Sequence, residues 1–285
     1  MSAPTGSGRG RRDRRRLAGT IVHRALVALL LIYLLAPFCW MVVYSLFPPE
    51  SLQGGGFAID QLTLGAYQRL LADGSFLVPM ANSAIVGIAT TVITMTLGSA
   101  CAYVLARARF RGRQALLLGM LTVQAIPVIV LAVPLFILLR AFGAYDQLIG
   151  LIITYTAFIL PLVVWMMVGF FADLPPSLER AARIDGCNRL QVMTRIAVPL
   201  AAPGMAATAI LAFITSWSDF FLAKVLTTSK AVTLPVRTAA FQGLFAMDYT
   251  SAATAGVITA VPVLILALLA QKWIIRGLVE GAVKG

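Results

Sequence analysis

The sequence predicts an all-α integral membrane protein of six transmembrane helices, with a polar helical loop on the cytoplasmic side between spans four and five. Three observations lead there. Hydrophobic residues make up 60% of the 285 and charged ones only 12%, about half the share usual in soluble domains. The apolar residues gather in six runs of roughly 20, the length that a ~30 Å hydrocarbon layer demands at 1.5 Å rise per residue. Finally, 18 of the 23 Lys and Arg fall in segments that a six-pass arrangement puts on one side. The positive-inside rule makes that side the cytoplasm and places both termini there. The net charge of +12 is then explained by topology and calls for no nucleic acid.

Residues 1–20 form a basic tail rich in Gly, Ser and Arg, read as topology-setting charge beside anionic lipid. The six-span domain covers 21–275. Span one runs over about 25–46; it is too long for a signal peptide and no small-residue cleavage site follows. An outer loop occupies 48–75, where Gly54-Gly55-Gly56 is a turn and not a phosphate cradle, since no Gly-Lys-Ser/Thr follows. Within it, 64–71 reads as a short surface helix. Span two, about 82–105, ends at the basic run from Arg107 to Arg113. Span three, about 114–139, holds Gln124, Pro127 and Pro134. Prolines there free backbone groups that neighbouring helices or a water-lined path must satisfy. A tight outer turn at 143–147 leads to span four, about 148–171. Span five covers about 204–222, a second outer loop 224–250, and span six about 251–275. A short cytoplasmic tail, 276–285, closes the chain.

The loop at 172–203 is the longest polar interruption between apolar runs. Its sequence predicts two short helices with a hinge. Asp173 or Ser177 suits an N-cap, Pro175 and Pro176 a first turn, and Glu179 the positive end of the helix dipole. Gly186 is a natural left-handed stop. A second helix then runs from about 188 to 197, with Leu190, Met193 and Ala197 on one stripe, and ends before Pro199. A short, charged, hinged element between two spans suits docking into a groove of another protein. An amphipathic loop lying on the membrane surface is the bland alternative.

The string Glu179-Arg180-Ala181-Ala182-Arg183-Ile184-Asp185-Gly186, with Pro199 and Pro203 downstream, resembles the EAA loop of ABC importer permeases. The similarity extends to Asn82-Ser83, Pro127, Pro134 and Pro161, and to the tail 277–285, and is greatest to the six-span, MalG-like carbohydrate branch of that family. The resemblance implies an EAA-type coupling helix that fits a cleft on an ATPase subunit. In it Glu179 anchors the helix, Ala181 and Ala182 allow close approach, Gly186 provides the bend, and Arg180 and Asp185 belong to the same motif. Cys187 stands where Ala is usual, a small change. The resemblance also implies a tail contact with the ATPase through Lys284 and Gly285. The implied partners are a second permease, two ATPase subunits carrying ATP and magnesium, and an extracytoplasmic solute-binding protein. The implied location is the bacterial inner membrane.

Asp219 is the most notable charge, at the outer part of span five in Ser216-Trp217-Ser218-Asp219-Phe220. A carboxylate near lipid faces a bundle interior or water, so two readings stand: an interfacial cap, or a lining position on a solute path with Trp217 offering an aromatic face to sugar. This stretch is similar to the Trp-Asn-Glu/Asp-Phe segment of sugar permeases, with Ser218 in place of Asn. Asn82, Gln124 and Gln242 either line that path or bridge helices. No catalytic constellation, zinc spacing or Walker A occurs. His23 alone cannot hold a metal, and Cys39, Cys101 and Cys187 read as small apolar fillers. The expectation is therefore a non-enzymatic sugar permease that binds no cofactor itself. The rivals are an ABC permease for another solute and an ion-coupled carrier, which expects several buried acids where only Asp219 qualifies.

Overall fold

The computed structural model describes residues 8–48, 61–108, 110–241 and 248–282, with the side chains of 8–18 and 272–282 excepted. The described residues form helices and turns without strands. In chain order the helices are α1 Gly8–Ser45, α2 Gly65–Ala72, α3 Gly74–Arg107, α4 Arg113–Gln124, α5 Val128–Ala141, α6 Leu148–Asp173, α7 Pro176–Ile184, α8 Arg189–Leu200, α9 Ala202–Ser218, α10 Phe221–Leu226, α11 Leu234–Ala239 and α12 Tyr249–Ala282. Four stretches are long and apolar enough to cross a membrane alone: Gly19–Ser45, Gly74–Arg107, Leu148–Asp173 and Tyr249–Gln271. The pairs α4 with α5 and α8 with α9 qualify only together, bent by 89° and 80°. The count is six when each bent pair is taken as one span.

Two expectations are thereby corrected. Span three is not one continuous helix. Pro127 sits at the break with extended backbone (φ −59°, ψ 123°), because proline offers no N–H and pushes the residue before it out of helical geometry. Pro134 lies inside α5 without ending it. Span five likewise stops at Ser218, and Asp219 and Phe220 separate it from α10. At the other end of the chain, α12 continues past 275 to Ala282.

Lipid tails are as apolar as the side chains, so helices hold together by close packing and hydrogen bonds. The tightest pair is α3 and α6. At Gly98 an added Cβ would lie 2.6 Å from Val163 Cγ1, so glycine permits the approach, and overpacking there costs about 1–3 kcal/mol. Met167 and Phe171 of α6 are completely buried in the same core. Helix α9 packs on both. By contrast, the apolar part of α1 packs on α12 alone among the long helices and leaves most of its side chains exposed. Its hydrogen bonds to the rest gather near its end, where Ser45 Oγ and the Tyr67 hydroxyl lie 2.6 Å apart and Thr254 Oγ1 donates to the Ser45 carbonyl.

The turn between α5 and α6 carries a clasp that sequence reading missed. Asp146 adopts φ +54°, and its carboxylate accepts the backbone N–H groups of Thr228, Ser229, Lys230 and Ala231 at 2.9–3.2 Å. From the other side, Asn82 Nδ2 donates to the carbonyls of Lys230 and Val232, and Ser83 Oγ accepts the N–H of Leu234. Segment 228–234 is thus stapled between span two and the α5–α6 turn. Partial burial raises the pKa of Asp146, but the four N–H bonds outweigh it and hold the carboxyl well below the ordinary carboxylate range.

Candidate functional site

The polar loop after α6 is built as two short helices at a sharp bend. Pro176 begins α7, where a missing N–H costs nothing. The N-cap position falls on Pro175, whose ring offers no side-chain cap, and not on Asp173 or Ser177. The C-terminus closes as a Schellman turn. The N–H of Cys187 reaches the Ala182 carbonyl at 2.9 Å and that of Gly186 the Arg183 carbonyl at 3.1 Å, with Gly186 at φ +89°. A side chain at that φ is strained, which is why glycine stands there. Asn188 and Gln191 then form a reciprocal capping box that starts α8.

Helix α8 does not end before Pro199. A wide turn over Met193–Ala197 precedes the proline, and the helix continues to Leu200. The expected stripe also shifts. Val192 and Ala197 are buried, whereas Leu190 is 65% exposed.

Burial sorts the motif into two faces. Glu179 and Ala182 turn inward. Glu179 Oε1 accepts Arg107 Nε at 2.6 Å and Oε2 accepts the Tyr103 hydroxyl at 3.1 Å. Removing one partner of a buried pair costs about 3–5 kcal/mol, because it leaves an uncompensated charge. Glu179 therefore fastens the loop to its own chain. Arg180, Ala181, Arg183, Asp185 and Gly186 face outward. With them stands Ile184, 86% exposed, an apolar side chain on the outer face of a charged helix. Sequence reading passed it over, although Leu178, Ala181 and Ile184 recur at helical spacing. Exposed apolar side chains grouped on a polar element mark a contact surface.

Within the bundle, a cavity of about 160 Å³ brings together Gln124, Tyr155, Phe158, Ser216 and Asp219. The break in span three puts Gln124 there, its Nε2 donating to the Phe158 carbonyl at 2.8 Å. The break in span five puts Asp219 there. Its Oδ2 accepts the Tyr155 hydroxyl at 2.8 Å and the N–H groups of Leu222 and Ala223 at 3.1 and 3.3 Å. Asp219 thus caps α10 and also lines the cavity. Ser216 Oγ is buried without a partner among the described residues.

Two other residues expected on this path lie elsewhere. Trp217 is buried against α12, donating to the Thr259 carbonyl at 3.0 Å and stacking on Phe213. One position along a helix rotates a side chain by about 100°, so Ser216 and Trp217 cannot share a face. Asn82 serves the clasp around 230–232. Gln242, Lys284 and Gly285 lie outside the described residues. Tyr155 was the member that sequence reading missed, because a tyrosine in an apolar span carries no directional signal.

Residues 94–280 match the family described as "Binding-protein-dependent transport system inner membrane component". The chain is 38% identical over 256 residues to the trehalose transport system permease protein SugB of Mycobacterium tuberculosis, covering 89% of this chain and 93% of that one. It is 36% identical over 261 residues to the trehalose/maltose transport system permease protein MalG of Thermococcus litoralis, covering 90% and 94%. The fold matches a chain of a bacterial ABC transporter involved in import of the acidic polysaccharide alginate, with a TM-score of 0.74 at 24% identity over 95% of this chain and 99% of that one.

Proposed function

The chain belongs to the family of binding-protein-dependent transport system inner membrane components, a membrane permease subunit and not an enzyme, and from that premise we propose that it carries a sugar or oligosaccharide across the bacterial inner membrane. It forms half of the path with a second permease, and two separate ATPase subunits supply ATP, magnesium and force. An extracytoplasmic binding protein delivers the solute, and both termini lie in the cytoplasm.

The loop carries this reading most directly. Its motif residues divide into an inner face that grips span two and an outer face of Arg180, Ala181, Ile184, Asp185 and Gly186. That is the division a coupling element requires, one side held by the membrane domain and the other free to seat in a partner. The tail residues Lys284 and Gly285 provide a second contact with the ATPase.

For the solute, the cavity at Gln124, Tyr155, Ser216 and Asp219 offers hydroxyl, amide and carboxylate groups beside the Phe158 ring, a set suited to a polyhydroxylated neutral ligand. Its roughly 160 Å³ falls short of the ~300 Å³ at which small-molecule pockets begin. The second permease completes it. ATP binding shifts the assembly between inward- and outward-facing states by rigid-body movement.

The test is reconstitution of the chain with its second permease, ATPase and binding protein, and uptake of labelled trehalose, maltose and alginate oligosaccharides. ATP-dependent uptake of a neutral sugar supports the proposal. Uphill transport by this chain alone, with no nucleotide, defeats it.

A further inference from the structure

We infer that Arg107 is a positioning residue that makes the ends of spans two and four and helix α7 move as one body, leaving the joint before span five as the hinge. This rests on the reading of α7 as the element that the ATPase drives.

Arg107 is the last residue of α3. Its Nε donates to Glu179 on α7 at 2.6 Å, and its Nη2 donates to the Leu174 carbonyl, where α6 ends, at 3.0 Å. One guanidinium therefore joins three elements. One turn earlier, Tyr103 gives its hydroxyl to the other oxygen of Glu179 and packs edge-on against Phe171 of α6, with ring centroids 5.6 Å apart. Arg107 and Glu179 form an ion pair. The planar fork of arginine serves two acceptors at fixed geometry, which lysine, a single point charge, does not.

The second half of the loop has no comparable attachment to span two. A cavity of about 540 Å³ separates α8 from α3, with Val104, Arg107, Arg189, Leu190 and Met193 on its walls. Helix α8 also contains the wide turn Met193–Ala197 and meets α9 at 80°. Wide turns and sharp bends are where helices yield. A displacement of α7 thus passes through Arg107 into spans two and four at once, and reaches span five through α9's packing on them and along the chain through the joint at 193–201.

The test places nitroxide labels through Val92→Cys on α3 and Ser177→Cys on α7, both exposed, with Cys39, Cys101 and Cys187 replaced by Ser. A second pair joins Ser177→Cys to Ser218→Cys on span five. Distances are measured by pulsed EPR on the assembled complex in nanodiscs, without nucleotide and with ATP, magnesium and vanadate. The 92–177 distance should be narrow and unchanged by nucleotide, while the 177–218 distance shifts. Arg107→Ala should at least double the width of the 92–177 distribution, Arg107→Lys should fall between, and the exchange Arg107→Glu with Glu179→Arg should narrow it again. An Arg107→Ala distribution identical to the parent's overturns the inference, as does a parent 92–177 distance that moves with nucleotide. If 177–218 stays fixed while 92–177 remains narrow and dependent on Arg107, the docking reading fails and the tie stands.

Discussion

The Tyr155 hydroxyl donates to Asp219 Oδ2 at 2.8 Å, joining residues 64 apart in the chain on the wall of one cavity. The same oxygen caps α10 through the N–H groups of Leu222 and Ala223. One carboxylate thus shapes the cavity wall and orients the helix behind it.

Tyr155→Phe removes one hydrogen bond to a carboxylate, worth about 1.5–3 kcal/mol. The purified complex is expected to melt a few degrees lower and to take up its sugar more slowly. Asp219→Ala should do more, because the α10 cap goes too, whereas Asp219→Asn keeps an acceptor and should retain most of the stability. Thermal melts and uptake by the same preparations check all three. Equal melting of Asp219→Ala and Asp219→Asn would contradict the capping role.

Ile184→Asp places a charge where an exposed apolar side chain stands. The chain's own melting temperature should change little, since the side chain is 86% exposed and such surface positions tolerate change within about 0.5 kcal/mol. Copurification of the ATPase should drop at least tenfold. Undiminished ATPase recovery would take Ile184 out of the docking face.

Gly186→Pro cannot adopt φ +89° and removes the N–H that holds the Arg183 carbonyl, a combined cost of about 3 kcal/mol or more. Uptake should be abolished while the protein remains in the membrane, as read by immunoblot of the membrane fraction. Gly186→Ala, with strain of roughly 1–2 kcal/mol, should leave partial uptake. Normal transport by Gly186→Pro would count heavily against the coupling role of the loop.

The Asp146 clasp carries a pH dependence whose sign follows from its lowered pKa. In the folded chain the carboxyl stays ionised to lower pH than in the unfolded one, so its contribution is complete above the ordinary carboxylate range. It is lost only as pH falls below that range. Hydrogen exchange at the 228–231 amides should therefore show constant protection from pH 7 to about 5, after correction for intrinsic rates, and loss of protection below about 4. Asp146→Asn should abolish the pH step and leave those amides less protected throughout. A step near pH 6 would assign the effect to another group.

The amino-acid sequence alone determined the elements whose causes are local. Six apolar runs of membrane length, basic residues gathered at alternate ends, and Gly186 after a short charged helix are one-dimensional facts, and they predicted the helices and the bend. The tertiary structure decided rotation and rupture. A span that is apolar on every side has no moment to say which face turns inward. So only packing could turn Trp217 toward α12 and Asp219 toward Tyr155, and bury Glu179 against Arg107. Nor does a proline announce whether it breaks a helix: Pro127 interrupts span three and Pro134 does not. That difference lies in whether neighbours satisfy the freed backbone groups, which is a property of the bundle and not of the residue.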